Sequence, residues 1–164
     1  MRSHEIGPGS RPLVKVLFNL EPTACHGSAF ETLWAERVGL DEYCLENVPF
    51  YAFGVSFQDT VLAPKENGLP VFSKVIRRGG HSTYRLVLND SHRDDFDRYL
   101  DPLQGRGCSY EEGHKPLLAV DVPPEANIFE VYAGLEAGEK AGVWSFEEGH
   151  CGHPGANAVP AGGA

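Results

Sequence analysis

The chain has 164 residues and a formal net charge of −9, with 41% hydrophobic and 23% charged residues. This composition is typical of a folded globular protein, and the length suits one domain or two small, closely packed ones. Proteins that bind nucleic acid usually present a basic face, and here only residues 74–85 are locally basic, so we expect no nucleic acid partner. No apolar run approaches the roughly 20 residues that a membrane-spanning helix needs, so we expect no membrane association.

Cysteine usage and the N-terminal segment indicate the cellular compartment. The four cysteines, at positions 25, 44, 108 and 151, form no CxxC pair and are too sparse for a disulfide framework in a chain of this length. Residues 1–12 are polar and lack the apolar core of a secretory signal. We therefore expect reduced thiols, a cytoplasmic location and a disordered N-terminus over residues 1–12.

The first half of the chain, residues 13–83, contains short stretches in which apolar and polar residues alternate, a pattern typical of half-buried strands. Ser28 and Glu31 also fit a helix capping box, but the aromatic and β-branched content of residues 31–48 favours a hairpin of two strands. Asn67-Gly68 predicts a tight turn between two further strands. This spacing of short strands predicts a small SH3-like β-barrel. The strands are expected at residues 13–20, 31–48, 58–63 and 69–77.

The pattern changes in the second half, residues 84–150, where strand-like and helix-like segments follow in the order β-α-β-β-α-β. This is the order of a ferredoxin-like unit, and right-handed crossovers place its first and third strands at the sheet centre. The predicted class is therefore α+β, a β-barrel half fused to a ferredoxin-like half, with strand 84–89 at the join and a disordered tail over residues 151–164. The four strands are expected at residues 84–89, 108–112, 117–122 and 143–147.

The turn formed by residues 77–83 is the first candidate site, because it gathers arginines, a histidine and two hydroxyls around Gly79-Gly80. His81 can act as a general acid or base near neutral pH. Arg78 and Arg85 can hold a carboxylate or phosphate, with Ser82 and Thr83 as further ligand contacts. The alternative is a solvent-exposed bend in which these hydroxyls bond only to the local backbone.

The aromatic segment over residues 51–59 is the second candidate. Tyr51 and its neighbours are expected to form the wall of an apolar pocket, with Asp59 beside His81. An Asp59–His81 pair would orient the imidazole as the acid does in hydrolase triads, although no GxSxG nucleophile motif is present. The alternative is that the phenylalanines belong to the barrel core and Asp59 caps a turn.

Several histidine-containing segments invite a metal-site interpretation, and the sequence favours none of them. The near-identical hexapeptides at residues 109–114 and 145–150 are predicted on opposite sheet edges, which is too far apart for one shared site. The segment at residues 150–153 lacks the paired ligand spacing of structural zinc. Cys25 and His26 are adjacent, so their side chains diverge on a strand, which argues against a catalytic Cys–His pair. Because the common nucleotide and metal motifs are also absent, we expect neither a metal nor another cofactor.

Four sequence words carry a resemblance to a known family: residues 33–35 (LWA), residues 47–50 (NVPF), Asp59 and residues 80–83 (GHST). The chain resembles a family of small bacterial domains of unknown function, common in actinobacteria and myxobacteria. The similarity is strongest over residues 13–88 and continues to about residue 150. The resemblance implies a bacterial cytosolic protein and transfers no catalytic role.

Three functions follow as hypotheses. The leading one is an accessory or binding protein that recognises a small anionic molecule or peptide in a crevice between the two halves, near Tyr51, Arg78 and His81. The second is a metal-free isomerase, cyclase or hydrolase that uses His81 and Asp59 as an acid–base pair. The third is a regulator that binds a protein partner through an exposed sheet edge, at residues 108–112 or 143–147.

Overall fold

The computed structural model of the protein describes residues 11–21 and 27–154. Within these ranges the chain forms eleven strands, one 3-10 helix and two α-helices. The strands of the first half are β1 (Leu13–Asn19), β2 (Phe30–Gly39), β3 (Glu42–Leu45), β4 (Thr60–Leu62), β5 (Lys65–Glu66), β6 (Leu69–Pro70) and β7 (Lys74–Arg77). The second half contains β8 (Ser82–Leu88), the 3-10 helix (Asp90–Asp95), α1 (Phe96–Gly105), β9 (Ser109–Glu112), β10 (Leu117–Val122), α2 (Ile128–Lys140) and β11 (Trp144–His150).

The first half folds into a five-stranded antiparallel sheet with the order β1-β2-β3-β4-β7. The predicted hairpin over residues 31–48 is confirmed as β2 and β3, which pair Ala35 with Leu45. Alternate residues of β2 are buried, as its apolar–polar alternation predicts, so one face of the sheet carries an apolar core. This core includes Val16, Leu33, Ala35, Tyr43, Leu45 and Val61.

The predicted SH3-like barrel is wrong, because the described residues form no closed barrel. Strands β1 and β7 remain at opposite edges of the sheet, and a single parallel bridge joins Leu17 of β1 to Val71. The segment that would have to continue the ladder contains Pro64 and Pro70, which have no backbone N–H to donate. That segment instead folds into the small hairpin of β5 and β6, closed by the predicted Asn67-Gly68 turn.

The second half folds into a four-stranded antiparallel sheet with the order β11-β8-β10-β9. The two strands predicted at the centre, β8 and β10, lie there, and β9 and β11 form the edges. Both α-helices cover one face of this sheet. Their shared core contains Tyr84 and Leu86 of β8, Leu103 of α1 and Leu135 of α2. The side chain of Asn127 caps α2 by accepting hydrogen bonds from the first free N–H groups of the helix.

The opposite face of the four-stranded sheet is covered by residues 46–59, the segment that joins β3 to β4; we call it the covering loop. It crosses from the first sheet to the second, and its Gly54 N–H donates to the Gly149 carbonyl of edge strand β11 (3.0 Å). Residues 83 and 85 of β8 are buried beneath the loop, while residues 84 and 86 face the helices. The covering loop therefore joins the first half to this face of the second sheet.

Two boundaries differ from the sequence prediction. Strand β8 begins at Ser82 rather than at residue 84, so part of the predicted turn is a central strand. Residues 151–154, part of the predicted disordered tail, pack against the sheet, and His153 is buried. Its imidazole contacts Ser82, and this contact holds the segment in place. Most of the predicted N-terminal disorder, the Cys25-His26 pair and residues 155–164 lie outside the described residues.

Candidate functional site

The covering loop is held at its start by a buried carboxylate. Glu31, on β2, accepts hydrogen bonds from the backbone N–H groups of Phe50 (2.6 Å), Tyr51 (3.0 Å) and Ala52 (2.9 Å). A carboxylate that accepts from three successive backbone donors fixes the backbone around it, because each donor would lose a hydrogen bond if the loop moved away. Sequence reasoning placed Glu31 in a capping box or strand and missed this role, since the three donors lie about 20 residues further along the chain.

A second buried carboxylate, Asp59, holds the far end of the loop. It accepts from the N–H groups of Ser56 (2.9 Å) and Gly79 (3.0 Å), and it pairs with the guanidinium of Arg78 (3.0 Å). Arg78 also donates to the Gly54 carbonyl (2.7 Å). Asp59 therefore joins the covering loop to the Gly79-Gly80 bend, which agrees with the alternative interpretation of Asp59 as a turn cap. Both Arg78 and Asp59 are engaged with each other and with the loop.

The predicted Asp59–His81 pair is not formed. His81 Nδ1 instead contacts both carboxylate oxygens of Asp121, on β10, at 2.9 and 3.0 Å. The His81 ring also packs edge-on against Phe57 and keeps 14% of its side chain exposed. Burial raises the pKa of Asp121, and the nearby His81 opposes that rise. The sequence contained a signal for this contact: Asp121 is the single acidic residue inside the apolar run of β10, and a buried carboxylate needs a partner.

Ser82 and Thr83 are fully buried rather than presented to a ligand. The Ser82 hydroxyl contacts His153 Nδ1 (2.5 Å) and accepts from the Gly152 N–H (2.9 Å), while His153 Nε2 contacts the Pro123 carbonyl (3.0 Å). The Thr83 hydroxyl bonds to that of Ser56 in the covering loop (2.7 Å). The Ser82 hydroxyl thus holds the segment after β11, and the Thr83 hydroxyl holds the covering loop.

Arg85 is buried at the centre of the same sheet face, with 1% of its surface exposed. Its Nε donates to Glu147 on β11 (2.9 Å), and its Nη1 donates to the Ala52 carbonyl of the covering loop (2.8 Å). The Phe53 ring lies over the guanidinium, with its centroid 4.4 Å from Cζ. The remaining nitrogen, Nη2, is buried and makes no hydrogen bond within the described part of the chain.

His150, at the end of β11, is half-buried and carries the second buried, unpaired nitrogen: its Nε2 has no hydrogen-bond partner among residues 11–21 and 27–154. It pairs with Thr83 across the strands, so it lies near the loop end held by Asp59. Burial lowers the pKa of His150, and the charge of Arg78 lowers it further, against the opposing effect of Asp59. The neutral imidazole is therefore favoured in the folded protein.

Two adjoining cavities lie at the β9–β10 turn, away from the His81 cluster. The smaller, of about 370 Å³, is the crevice between the two halves, where Phe50 and Tyr51 of the covering loop face residues 112–114. The larger, of about 560 Å³, shares Glu112 and Gly113 with it and continues to the 3-10 helix. Of the predicted ligand-contacting residues, Tyr51 lines this space, while Arg78, Ser82, Thr83 and Arg85 do not.

No group of three or more His, Cys, Asp or Glu side chains is arranged to hold a metal ion in residues 11–21 and 27–154. The two hexapeptide segments lie on the opposite edge strands β9 and β11, as predicted. The three cysteines within the described ranges are free thiols. Burial raises the pKa of Cys108 to about 11, so this thiol is protonated near neutral pH.

In the described ranges, neither helix combines the length and apolar character needed to span a membrane. No curated protein matches the chain. A solved structure described as the novel crystal structure of a hypothetical protein from Neisseria gonorrhoeae has a similar fold, with a TM-score of 0.71 and 19% sequence identity; the match covers 84% of this chain and 95% of that chain. A family model described as a domain of unknown function, DUF4265, matches residues 31–146, which include most of both sheets. The chain belongs to the DUF4265 family.

Proposed function

We propose that the protein is a cytoplasmic bacterial accessory or binding protein that holds a small anionic molecule or a peptide in the crevice between its two halves. The observation that carries this proposal is the pair of adjoining cavities at the β9–β10 turn. Their volumes, about 370 and 560 Å³, are within the range of small-ligand sites. Tyr51 supplies an aromatic wall from the first half, and the β9–β10 turn supplies the opposite wall.

The lining favours a peptide over a simple anion. The floor of the larger cavity is apolar, and its rim carries both Arg93 and Lys115 and the acidic residues Asp90 and Glu112. A rim with both signs of charge complements a ligand that carries both signs, as a short peptide does, while an apolar floor accepts one apolar side chain. The buried and half-buried apolar residues of this floor are Leu88, Phe96, Leu117 and Leu118.

A saturation-transfer NMR screen with pooled tripeptides, each with an apolar residue between Lys and Asp, tests the proposal. Gly113→Ala is the informative variant, because an added Cβ would lie 2.9 Å from the Phe50 ring and would narrow the crevice. We expect saturation transfer from the wild type and at least a tenfold weaker affinity after Gly113→Ala. Lys115→Glu, which changes the charge of the rim, should shift the preferred peptides toward more basic ones.

Lys65→Glu is the matched control, since it makes the same charge change on the exposed hairpin of β5 and β6. It should leave both affinity and preference unchanged. A screen in which no tripeptide binds, or in which Gly113→Ala and the wild type bind equally, would remove the crevice as the ligand site.

A second candidate function, acid–base catalysis, is favoured by the His81–Asp121 contact. A carboxylate on Nδ1 fixes the imidazole and leaves Nε2 as the nitrogen that exchanges a proton with a substrate. The expected loss on His81→Ala is roughly 10²–10⁴ in rate. Asp121→Asn should also impair turnover, whereas an Asp59→Asn variant that remains folded should retain it. This difference separates the His81–Asp121 pair from the Asp59–His81 pair predicted from the sequence. Turnover that persists after His81→Ala would exclude this candidate.

The finer fold assignment of the second half is also a proposal. The strand order β11-β8-β10-β9, with both helices on one face, supports a ferredoxin-like unit. An experimental structure in which β9 and β10 exchange places would contradict it.

A further inference from the structure

The guanidinium of Arg85 is the most deeply buried cationic group described, and it is only partly satisfied. Two of its three nitrogens have protein partners, Glu147 and the Ala52 carbonyl. The third, Nη2, is buried without a hydrogen-bond partner among the described residues. A buried donor on a charged group that lacks an acceptor costs more than an ordinary unpaired polar atom, so this nitrogen favours any acceptor that can reach it.

The surroundings of the guanidinium favour a negatively charged acceptor. Glu147, its acidic partner, has 58% of its side chain exposed, so water screens much of its charge, while the arginine charge is enclosed. Gly149 passes directly alongside: a Cβ on this residue would lie 3.1 Å from Nη1. The backbone therefore comes close to the guanidinium without a side chain in between.

One side chain of the covering loop, Phe53, lies over this group. Phe53 stacks on the guanidinium, yet 58% of Phe53 itself is exposed to solvent. An exposed aromatic ring can change rotamer on a fast timescale without disturbing a core. Glu31 and Asp59 fix the backbone on both sides of Phe53, so ring rotation would uncover Arg85 without detaching the loop.

We propose that Arg85 forms an enclosed oxyanion site beneath Phe53, in which Nη2 donates to one oxygen of a small carboxylate or inorganic oxyanion. Because Nη2 is the single available donor and the Phe53 ring covers it, the site suits a small ion and excludes a bulky ligand. The site is separate from the proposed crevice, whose lining does not include Arg85, so either one can fail without the other.

The test uses the intact protein and two probe anions, acetate and phosphate, each titrated at constant ionic strength against chloride. The readout is the set of NMR resonances of the Arg85 guanidinium N–H groups, assigned by comparison with Arg85→Lys. We expect a saturable shift of these resonances with acetate or phosphate and none with chloride. Saturation by acetate alone would identify a carboxylate site, and saturation by phosphate would identify an inorganic oxyanion site.

Two variants sharpen the test. Phe53→Ala removes the ring that covers Arg85, so it should strengthen or accelerate anion binding by about tenfold. The same Arg85 guanidinium resonances should respond. Arg98→Lys, a matched change on an exposed arginine of α1 that lines neither cavity, should leave the Arg85 response unaltered. Because Arg85→Lys can impair folding, the wild-type titration is decisive by itself. Equal responses to acetate, phosphate and chloride, or no saturation up to 100-fold above the protein concentration, would show that Nη2 binds only water and would overturn the proposal.

Discussion

The two faces of the four-stranded sheet are covered in different ways. One face packs against α1 and α2 through apolar side chains such as Leu86 and Leu135. The other face is covered by a loop without regular secondary structure, which is held to it by hydrogen bonds of Thr83 and Arg85. Alternate residues of the same strand β8 thus meet two unlike environments. The helical face gains its stability from apolar area, and the loop face depends on satisfied polar groups.

This difference has a consequence for how each face fails. An apolar contact weakens gradually as atoms are removed, whereas a buried hydrogen-bond network loses its whole advantage when one member leaves its partners unpaired. Both chemical candidates, the Arg85 site and the His81–Asp121 contact, lie on or beside the loop face. Four predictions use this contrast, beginning with the largest expected effect.

The loop face should be most sensitive at Glu31. Glu31→Ala leaves three backbone N–H groups without their acceptor, one of them buried and two half-buried. A buried orphaned donor costs roughly 1–3 kcal/mol and a half-buried one costs less, so we expect a loss of at least about 2 kcal/mol in the free energy of unfolding. Urea denaturation measures the loss. Glu31→Gln keeps one acceptor oxygen and should lose about half as much stability. Glu66→Ala, the control on the exposed β5, should change stability little. A loss below about 1 kcal/mol in Glu31→Ala would contradict the anchoring role.

The helical face should respond to overpacking at Gly138. A Cβ on this residue, on the inner side of α2, would overlap the Trp144 indole. We expect Gly138→Ala to lower the free energy of unfolding by about 1–3 kcal/mol and to shift Trp fluorescence. Gly134→Ala is the control: its Cβ would lie 2.9 Å from a terminal methyl of Leu103, a smaller overlap than the 2.2 Å at Trp144, and the gain in helix propensity of roughly 1 kcal/mol partly offsets it. Equal losses in the two variants would mean that the helix packs more loosely than described.

The hydroxyl contact between Ser56 and Thr83 measures how strongly the loop is coupled to the sheet. Ser56→Ala and Thr83→Val each leave one buried hydroxyl without its partner, and each should cost about 1 kcal/mol. The double variant removes both groups together, so its loss should be smaller than the sum of the single losses. A double-mutant cycle in urea gives this coupling. Strictly additive losses would show that the two hydroxyls do not depend on each other.

The smallest effect is expected in the pH dependence of stability. Burial lowers the pKa of His150 from its usual value near 6.5, so the unfolded chain binds a proton that the folded protein resists. Stability should therefore fall as the pH drops below about 6.5, until the lowered folded-state pKa is passed. His150→Gln should reduce the slope between pH 7 and pH 5 in thermal unfolding. Identical slopes in the wild type and in His150→Gln would exclude His150 as the source.

Sequence patterns predicted the regular elements and failed on the polar contacts, for a physical reason. Strand β10 and the hairpin of β2 and β3 follow from periodicity, which is a local property. Whether His81 meets Asp59 or Asp121 depends on which strands are neighbours and on their register, which no local pattern contains. The three donors bound by Glu31 likewise lie in a loop whose path is set by the assembled sheets. The open first sheet was missed because strand spacing predicts the number of strands and not their closure.

The covering loop also determines how far the chain can be divided. It belongs by sequence to the first sheet, between β3 and β4, yet it completes the second sheet by covering Thr83 and Arg85. A fragment cut between β7 and β8 would therefore release a second half with an uncovered charged face and a first half with an unsupported loop. Such fragments should recover the fold only when they are mixed, by complementation. The two sheets thus form a single folding unit. Transferring either sheet alone to another protein would require a substitute for residues 46–59.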